Sequence, residues 1–501
     1  MTRRRVLLHD LLDTAAHAWP DQPAVSGAGA SLTFAELSAA SRRAADWLLE
    51  TGLSRGDRVV LASGSAVLTA ATIWGASRAG VVFIVVHERV RGTPLTHILA
   101  DSEAGLLIAD TAEATTTATA LGIRAVAAAE VADRILRGPD PARPVHQAPL
   151  AVDPACMIYT SGSTAAPKAV VSTHAQMVFA VEAIDSVLRY RPDDVVYCPL
   201  PLSFDYGMYQ LFLGADSGAH VRVGQPAEVG PTLVKNLRAA GATVLAGVPA
   251  VTGALARLLR RAPAPDLPLR LLTNTGAAMS QATLDELRAQ LPRIKVQLMF
   301  GLTECKRATI MPPDGDLVRP GASGRALPGT EILIVDDDGK ALPAGMIGQI
   351  VVRGPHVMAG YWRRPELTAQ RFHRAQGLFP ELRTGDYGWV DAEGYLYFVG
   401  RRDDIYKQSG FRVSATEVEA AAMRVPGVDA AAVLPPSDDR PATLLVVTRL
   451  PEAEVLARLR EELEEFKIPP RYEVLAALPL SGNGKVDKKA LASSLAERAD
   501  V

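Results

Sequence analysis

Tyr159-Thr160-Ser161-Gly162-Ser163-Thr164-Ala165-Ala166-Pro167-Lys168 is the stretch around which the rest of the chain reads. It follows a short apolar run, 155–159, with the composition of a buried strand. Five consecutive hydroxyl or glycine residues come next, then two alanines, Pro167 and Lys168. Small residues let backbone N–H groups approach an anion, hydroxyls donate hydrogen bonds, and the lysine adds a mobile positive charge. That is the chemistry of a loop wrapping a polyphosphate. No Gly-Lys-Ser/Thr stands at the offset required for the common GxxxxGK[ST] loop. Taken alone, the stretch also reads as a Ser/Thr-rich turn.

At about 150 residues per domain, 501 residues suggest two to four structural units. A hydrophobic content of 48% with 22% charged residues is that of an ordinary globular protein. The 53 basic and 55 acidic residues nearly cancel and form no basic stripe, which argues against a nucleic-acid partner. Cys156, Cys198 and Cys305 lack both a disulfide framework and metal-ligand spacing, as expected in a reducing compartment. The basic start, Met1-Thr2-Arg3-Arg4-Arg5, leads into a run too short and too polar for a secretory signal. No run approaches 18 apolar residues. The expectation is a cytoplasmic chain with no membrane partner.

Leu8, Leu11, Leu12 and Ala15 fall at helical spacing, and Thr33 with Glu36 makes a capping box for a second helix. Strands are expected over 57–62, 81–86 and 104–109, with a small-residue helix over 66–79. Such alternation implies a doubly wound, mostly parallel sheet. The Ala-, Thr- and Pro-rich segment 111–148 reads as a variable connection without chemistry. A helix is expected from Thr173-His174 to Val187, with His174 as a cap or packing residue. Residues 320–362 read as a β-rich subdomain, with Asp336-Asp337-Asp338-Gly339 as a hairpin turn. Beyond Asp403 the pattern is its own: helix 414–424, strands 429–434 and 442–448, helix 452–465.

The 159–168 loop resembles the phosphate loop of the adenylate-forming superfamily, which contains acyl-CoA synthetases, luciferases and adenylation domains of nonribosomal peptide synthetases. Similar stretches follow in family order, so the resemblance spans nearly the whole chain. They are Phe300-Gly301-Leu302-Thr303-Glu304, Leu382-Arg383-Thr384-Gly385-Asp386, Gly400-Arg401-Arg402-Asp403 and Gly484-Lys485-Val486-Asp487. The family usually has glycine at Ala165 and Ala169, glutamate at Gln349, and a proline-containing loop where this chain has His87-Glu88-Arg89. The resemblance implies an α/β fold. A large N-terminal domain (1–402) of doubly wound sheets with a β-rich subdomain would carry ATP and the acid. A small α+β C-terminal domain (403–501) would be joined to it by a hinge at Asp403 and would carry the catalytic lysine, Lys485.

By the same resemblance, Thr160, Ser161, Gly162, Ser163, Thr164 and Lys168 hold phosphates, and Gly276, Ala277 and Ala278 flank the adenine. Asp386 takes the ribose hydroxyls and Arg401 contacts the nucleotide. A hydroxyl beside a carboxylate suits magnesium, a hard cation that keeps water and phosphate ligands. Thr303 is therefore assigned a phosphate contact and Glu304 the metal. Tyr209, Gly247, Met299 and Lys306 are expected to line the acyl pocket. Asp205, following Phe204, stands where amino-acid-activating members bind the substrate ammonium; an acid after an apolar run is also a common helix cap. A basic residue distant in sequence is the other partner Asp205 could find, since no lysine or arginine lies between Arg191 and Arg222. Arg307 is a candidate for a second substrate carboxylate or, equally, for a structural ion pair.

The implied function is ATP- and Mg²⁺-dependent adenylation of a small amino acid, with β-amino and dicarboxylic amino acids among the candidates. The product would be transferred to the phosphopantetheine thiol of a separate carrier protein in natural-product biosynthesis. The alternatives are an acyl-CoA synthetase acting on a non-amino acid with free coenzyme A, and a non-catalytic nucleotide-binding homologue. The last is motivated by Ala165, Ala169 and Gln349, and opposed by the presence of Lys168, Glu304, Asp386, Arg401 and Lys485.

Overall fold

The computed structural model describes residues 5–139, 148–160, 167–374, 380–401, 404–408, 411–437, 440–480 and 486–499. Two sheets build the large N-terminal domain. In the first, Pro23–Gly27, His220–Val223, Val195–Cys198, Val244–Gly247, Leu271–Asn274 and Lys295–Phe300 lie side by side and parallel. The sheet then continues antiparallel through Thr309–Ile310 and Ala322–Ala326 into Tyr395–Arg401, Glu381–Val390, Gly348–Arg353 and Glu331–Val335. That continuation is the β-rich subdomain, which begins where helices cease to alternate with strands.

The second sheet runs Gly360–Tyr361, Lys168–Thr173, Pro154–Thr160, Val82–Val85, Arg58–Ala62, Leu106–Ala109, Arg124–Ala127. Its strands 154–160 and 168–173 are antiparallel, with Thr160 opposite Lys168, so the phosphate-loop stretch joins a hairpin. The segment 111–148, read above as a mere connection, corrects that expectation. It forms the helices Ala112–Ala120 and Ala128–Arg137 around the edge strand 124–127. An edge strand is covered on fewer sides and needs no apolar run, so the composition carried no strand signal.

Helix Ala66–Ala79 is buried all round, and small residues let its neighbours close in. A Cβ at Gly75 would stand 2.5 Å from Ala44 Cβ on helix Phe34–Glu50, so the glycine sets that spacing. Thr33 and Glu36 form the expected capping box, with Thr33 N–H donating to Glu36 Oε2 at 2.8 Å. Thr173, rather than His174, caps His174–Leu188. His174 is a packing residue whose Nδ1 accepts from Leu8 N–H at 3.2 Å.

The small C-terminal domain has its own core. Strands Val428–Leu434, Thr443–Thr448 and Arg471–Val474 form a sheet with helices Ala415–Arg424 and Glu452–Glu462 on one face and Lys488–Ala499 on the other. The expected hinge, Asp403, lies outside the described residues, as do Ser161, Gly162, Ser163, Thr164 and Lys485. No helix among the described residues is long and apolar enough to cross a membrane.

Burial pushes the imidazoles of His174 and His356 down to about 4 from an ordinary 6.5. As pH falls through that window the unfolded chain binds protons that the folded chain refuses, so stability falls with pH, by on the order of 3 kcal/mol per histidine. Asp185, raised to about 7 by burial and by Asp216, acts in the opposite sense. The clean measure is therefore a variant. Between pH 7 and 4.5, His174→Gln should lose less stability in denaturant unfolding than the wild type. Equal losses would contradict the assignment.

Candidate active site

Strands 244–247, 271–274 and 295–300 end at one edge of the parallel sheet, and ligands in such sheets bind beyond the carboxyl ends of strands. The loop after 271–274 begins with Gly276 at φ 92°, a conformation that favours glycine. Ala277 and Ala278 follow, exposed. Asn274, buried, donates from Nδ2 to Ala277 O at 3.2 Å.

After 295–300 the chain folds back on itself. Ala308 N–H donates to Phe300 O at 2.9 Å and Cys305 N–H to Leu302 O at 3.0 Å. A Cβ at Gly301 would lie 2.2 Å from Lys306 O, so only glycine allows this return. Thr303 is half-buried in the turn. Glu304 is buried and accepts a hydrogen bond of 2.6 Å from the Tyr361 hydroxyl. The Lys168 ammonium sits 4.1 Å above the Tyr361 ring. Burial lowers the pKa of Lys168, Arg371 and Arg401 lower it further, and only Glu304 opposes them. Lys168 and Glu304 therefore meet at Tyr361, with the Arg371 and Arg401 guanidiniums within electrostatic reach of the lysine. Thr160 donates weakly to Lys168 O, at 3.4 Å.

Asp386 is aimed by a bulge. Register shifts between Gln349 and Val351, so residues 384–386 oppose Ile350, with Gly385 at φ 76°. Bulges of this kind re-aim side chains beside functional sites. Thr384 Oγ1 donates to Ile350 O at 2.8 Å and accepts from Asp386 N–H at 3.0 Å. The Asp386 carboxylate is 4% exposed and lies 3.4 Å from Arg401 Nε.

A second cluster lies on the other side of the 300–308 turn. Asp205 opens helix Asp205–Ser217, whose cap position is Phe204, so the cap reading of Asp205 does not hold. Asp205, Lys306 and Arg307 are 5%, 1% and 5% exposed. The Lys306 ammonium sits 5.5 Å from the Tyr209 ring and has no hydrogen-bond partner among the described residues. Burial lowers its pKa, and Asp205 is the first group opposing that shift, with Cys156 and Glu304 behind it. A basic residue 101 positions on thus comes near Asp205 (306 − 205), yet no ion pair forms between them. Arg307 donates to Lys306 O at 2.7 Å and stacks 4.5 Å over Tyr206, which is held by Thr273 at 2.6 Å. Among the described residues no carboxylate pairs with Arg307. Gly247 and Met299, both buried, end or approach the end of the strands that flank 271–274.

The model of the AMP-binding enzyme family matches residues 12–362, and that of its C-terminal domain matches 417–485. The chain belongs to the AMP-binding enzyme family. It is 32% identical over 494 residues to the probable nonribosomal peptide synthetase CymA of Salinispora arenicola, covering 96% of this chain but only 6% of that protein's length. It is 28% identical over 477 residues to the long-chain-fatty-acid–CoA ligase FadD13 of Mycobacterium tuberculosis, covering 92% of each. The crystal structure of VinN superposes with a TM-score of 0.74 at 40% identity over 79% of this chain and 100% of that one. VinN has also been solved in complex with L-aspartate. The fold and family make this chain an adenylate-forming acid–thiol ligase that uses ATP with Mg²⁺.

The donor set agrees with that metal. Among the described residues no group of three or more His, Cys, Asp or Glu could hold an ion. Mg²⁺ shared with nucleotide phosphates needs only one or two carboxylates. Glu304, buried and oriented by Tyr361, would hold it, and the ion would neutralise charge on the phosphates. Tyr361 and Arg371 escaped sequence reasoning. A Gly-Tyr pair and an arginine at a helix end carry no signal until the fold brings them to Glu304 and Lys168.

Tyr361→Phe removes one hydrogen bond to a buried carboxylate while keeping the ring under Lys168. It should cost about 1.5–3 kcal/mol in kcat/KM for ATP, read by acid-dependent ATP–pyrophosphate exchange. An unchanged value would make the Tyr361–Glu304 contact incidental.

Proposed function

We propose that this adenylate-forming enzyme activates a small amino acid bearing a second carboxylate, and passes it to the phosphopantetheine thiol of a separate carrier protein. One observation carries the reading: a buried carboxylate, Asp205, and a buried cation, Lys306, lie within electrostatic reach without ion-pairing, while a second buried cation, Arg307, stacks on Tyr206 of the helix that Asp205 opens. Buried charges are costly unless matched. A zwitterion with an extra carboxylate matches all three, its ammonium on Asp205 and its spare carboxylate on Lys306 and Arg307. Tyr206 and Tyr209 wall a space suited to a short chain. The L-aspartate complex of VinN supports the same class.

In this reading the remaining substrate carboxylate attacks the α-phosphorus of ATP and pyrophosphate leaves. Catalysis is mainly positioning and charge neutralisation. Lys168 and Thr303 hold phosphate oxygens, while the small-residue loop at 276–278 and the Asp386 bulge hold the nucleoside. Lys485 bridges carboxylate and phosphate in the first half-reaction, and a rotation at Asp403 then withdraws it to admit the thiol, a gating step. The similarity to FadD13 favours a second reading, a non-amino acid transferred to coenzyme A.

Pyrophosphate exchange with a panel of acids separates the two. Aspartate-like substrates should exceed both monocarboxylic amino acids and desamino diacids. Asp205→Asn should cost about 1.5–3 kcal/mol with the amino acid and spare the desamino analogue. Arg307→Ala should cost about 2–5 kcal/mol with the dicarboxylic substrate and far less with monocarboxylic ones. Preference of the wild type for a desamino acid would overturn the reading.

A further inference from the structure

Arg371 ends the helix Pro365–Arg371, which packs against the strands Gly360–Tyr361 and Glu381–Val390. Its Nη2 donates to Thr384 O at 2.7 Å, on the first residue of the bulge that aims Asp386. Its Nη1 lies 2.5 Å from where a Cβ on Gly385 would stand, so the guanidinium lies directly against the glycine of that bulge. The next residue, Phe372, packs edge-on against Tyr361 with ring centroids 5.5 Å apart. Arg371 itself lies within electrostatic reach of the Tyr361 phenol. The Nε–H of Arg371 is buried with no hydrogen-bond partner among the described residues.

We propose that Arg371 is a positioning residue for the nucleotide: one guanidinium holds the Thr384–Asp386 bulge and the Tyr361–Glu304 pair in register, linking the ribose end of the site to the phosphate end. A rigid planar fork suits this task, because donors at fixed angles can brace two elements at once. Lysine, a single point charge on a flexible stem, can brace only one. Without the brace the Gly385 bulge loses its cover and the phenol that orients Glu304 loses its cationic neighbour. The inference rests on the adenylate-forming activity and is independent of which acid is used.

Its test is calorimetric titration of ATP and of AMP, each with Mg²⁺, into full-length wild type, Arg371→Gln and Arg371→Lys, alongside nucleotide-free melting. Arg371→Gln should weaken both nucleotides by about tenfold, the value of one charge-assisted bond, while its unliganded melting temperature stays close to that of the wild type. Arg371→Lys should weaken both by less. In pyrophosphate exchange the KM for ATP should rise and the KM for the acid should stay put. Unchanged affinity for both nucleotides would overturn the proposal. So would a loss confined to ATP, since the guanidinium would then act on the triphosphate alone, or weakening that merely follows a collapsed melting temperature. Should Arg371→Gln not fold, Arg371→Lys is judged by the same criteria. A wrong choice of acid would leave every nucleotide titration as stated.

Discussion

The close passage of Gly301 beneath the Lys306 carbonyl is the constraint on which the site depends. One missing side chain lets the strand 295–300 reverse within a few residues and hydrogen-bond to itself through Ala308. The turn holds Glu304 toward Lys168 and Tyr361, Lys306 toward Asp205 and Arg307 over Tyr206. Glu304, proposed to hold the metal, and Lys306, proposed to meet the acid, are thereby set two residues apart in sequence, at a fixed separation in space. In a reaction that joins a carboxylate to a phosphate, that separation decides whether the two reactants meet, and a small misplacement is costly in rate.

Charge is stored at both ends of this turn. On one side Arg371 and Arg401 lie within electrostatic reach of Lys168, and burial already weakens the hold of that lysine on its proton. On the other, Asp205 and Lys306 lie within electrostatic reach but outside ion-pair distance. Such clusters destabilise the free protein and are relieved by ligands of complementary charge. A polyphosphate relieves the first and, in the proposed reading, a zwitterion with an extra carboxylate relieves the second. The site is thus pre-organised at the expense of local stability, as functional sites commonly are.

Few of these groups come from the same piece of backbone. Lys168 comes from a hairpin of the seven-stranded sheet, Tyr361 from an edge strand of the same sheet and Arg371 from the helix that follows it, Glu304 from the turn after a parallel strand, and Asp386 and Arg401 from paired antiparallel strands. One apolar core runs between the two sheets, and a smaller one joins Val170 to Val352 and Leu382, so the elements reach the site on a shared rigid support. The C-terminal domain likewise folds around its own cluster of Val413, Val418, Leu444, Val446 and Leu459.

The sequence by itself determined the α/β class, the alternation that makes the parallel sheet, the capping box at Thr33 and the approximate bounds of the C-terminal elements. These are local properties, written in apolar period and cap chemistry. It also displayed the short stretches that carry Lys168, Glu304, Asp386 and Arg401, because small residues and charged groups must sit together wherever backbone approaches a ligand. The edge strand 124–127 was illegible, since partial exposure removes the apolar pattern. Only the tertiary structure brought Lys306 to Asp205, Tyr361 to Glu304 and Arg371 to the Gly385 bulge. Those contacts join residues 101, 57 and 14 positions apart. Side chains so separated meet through packing of whole elements, for which no short-range periodicity in the chain is a sign.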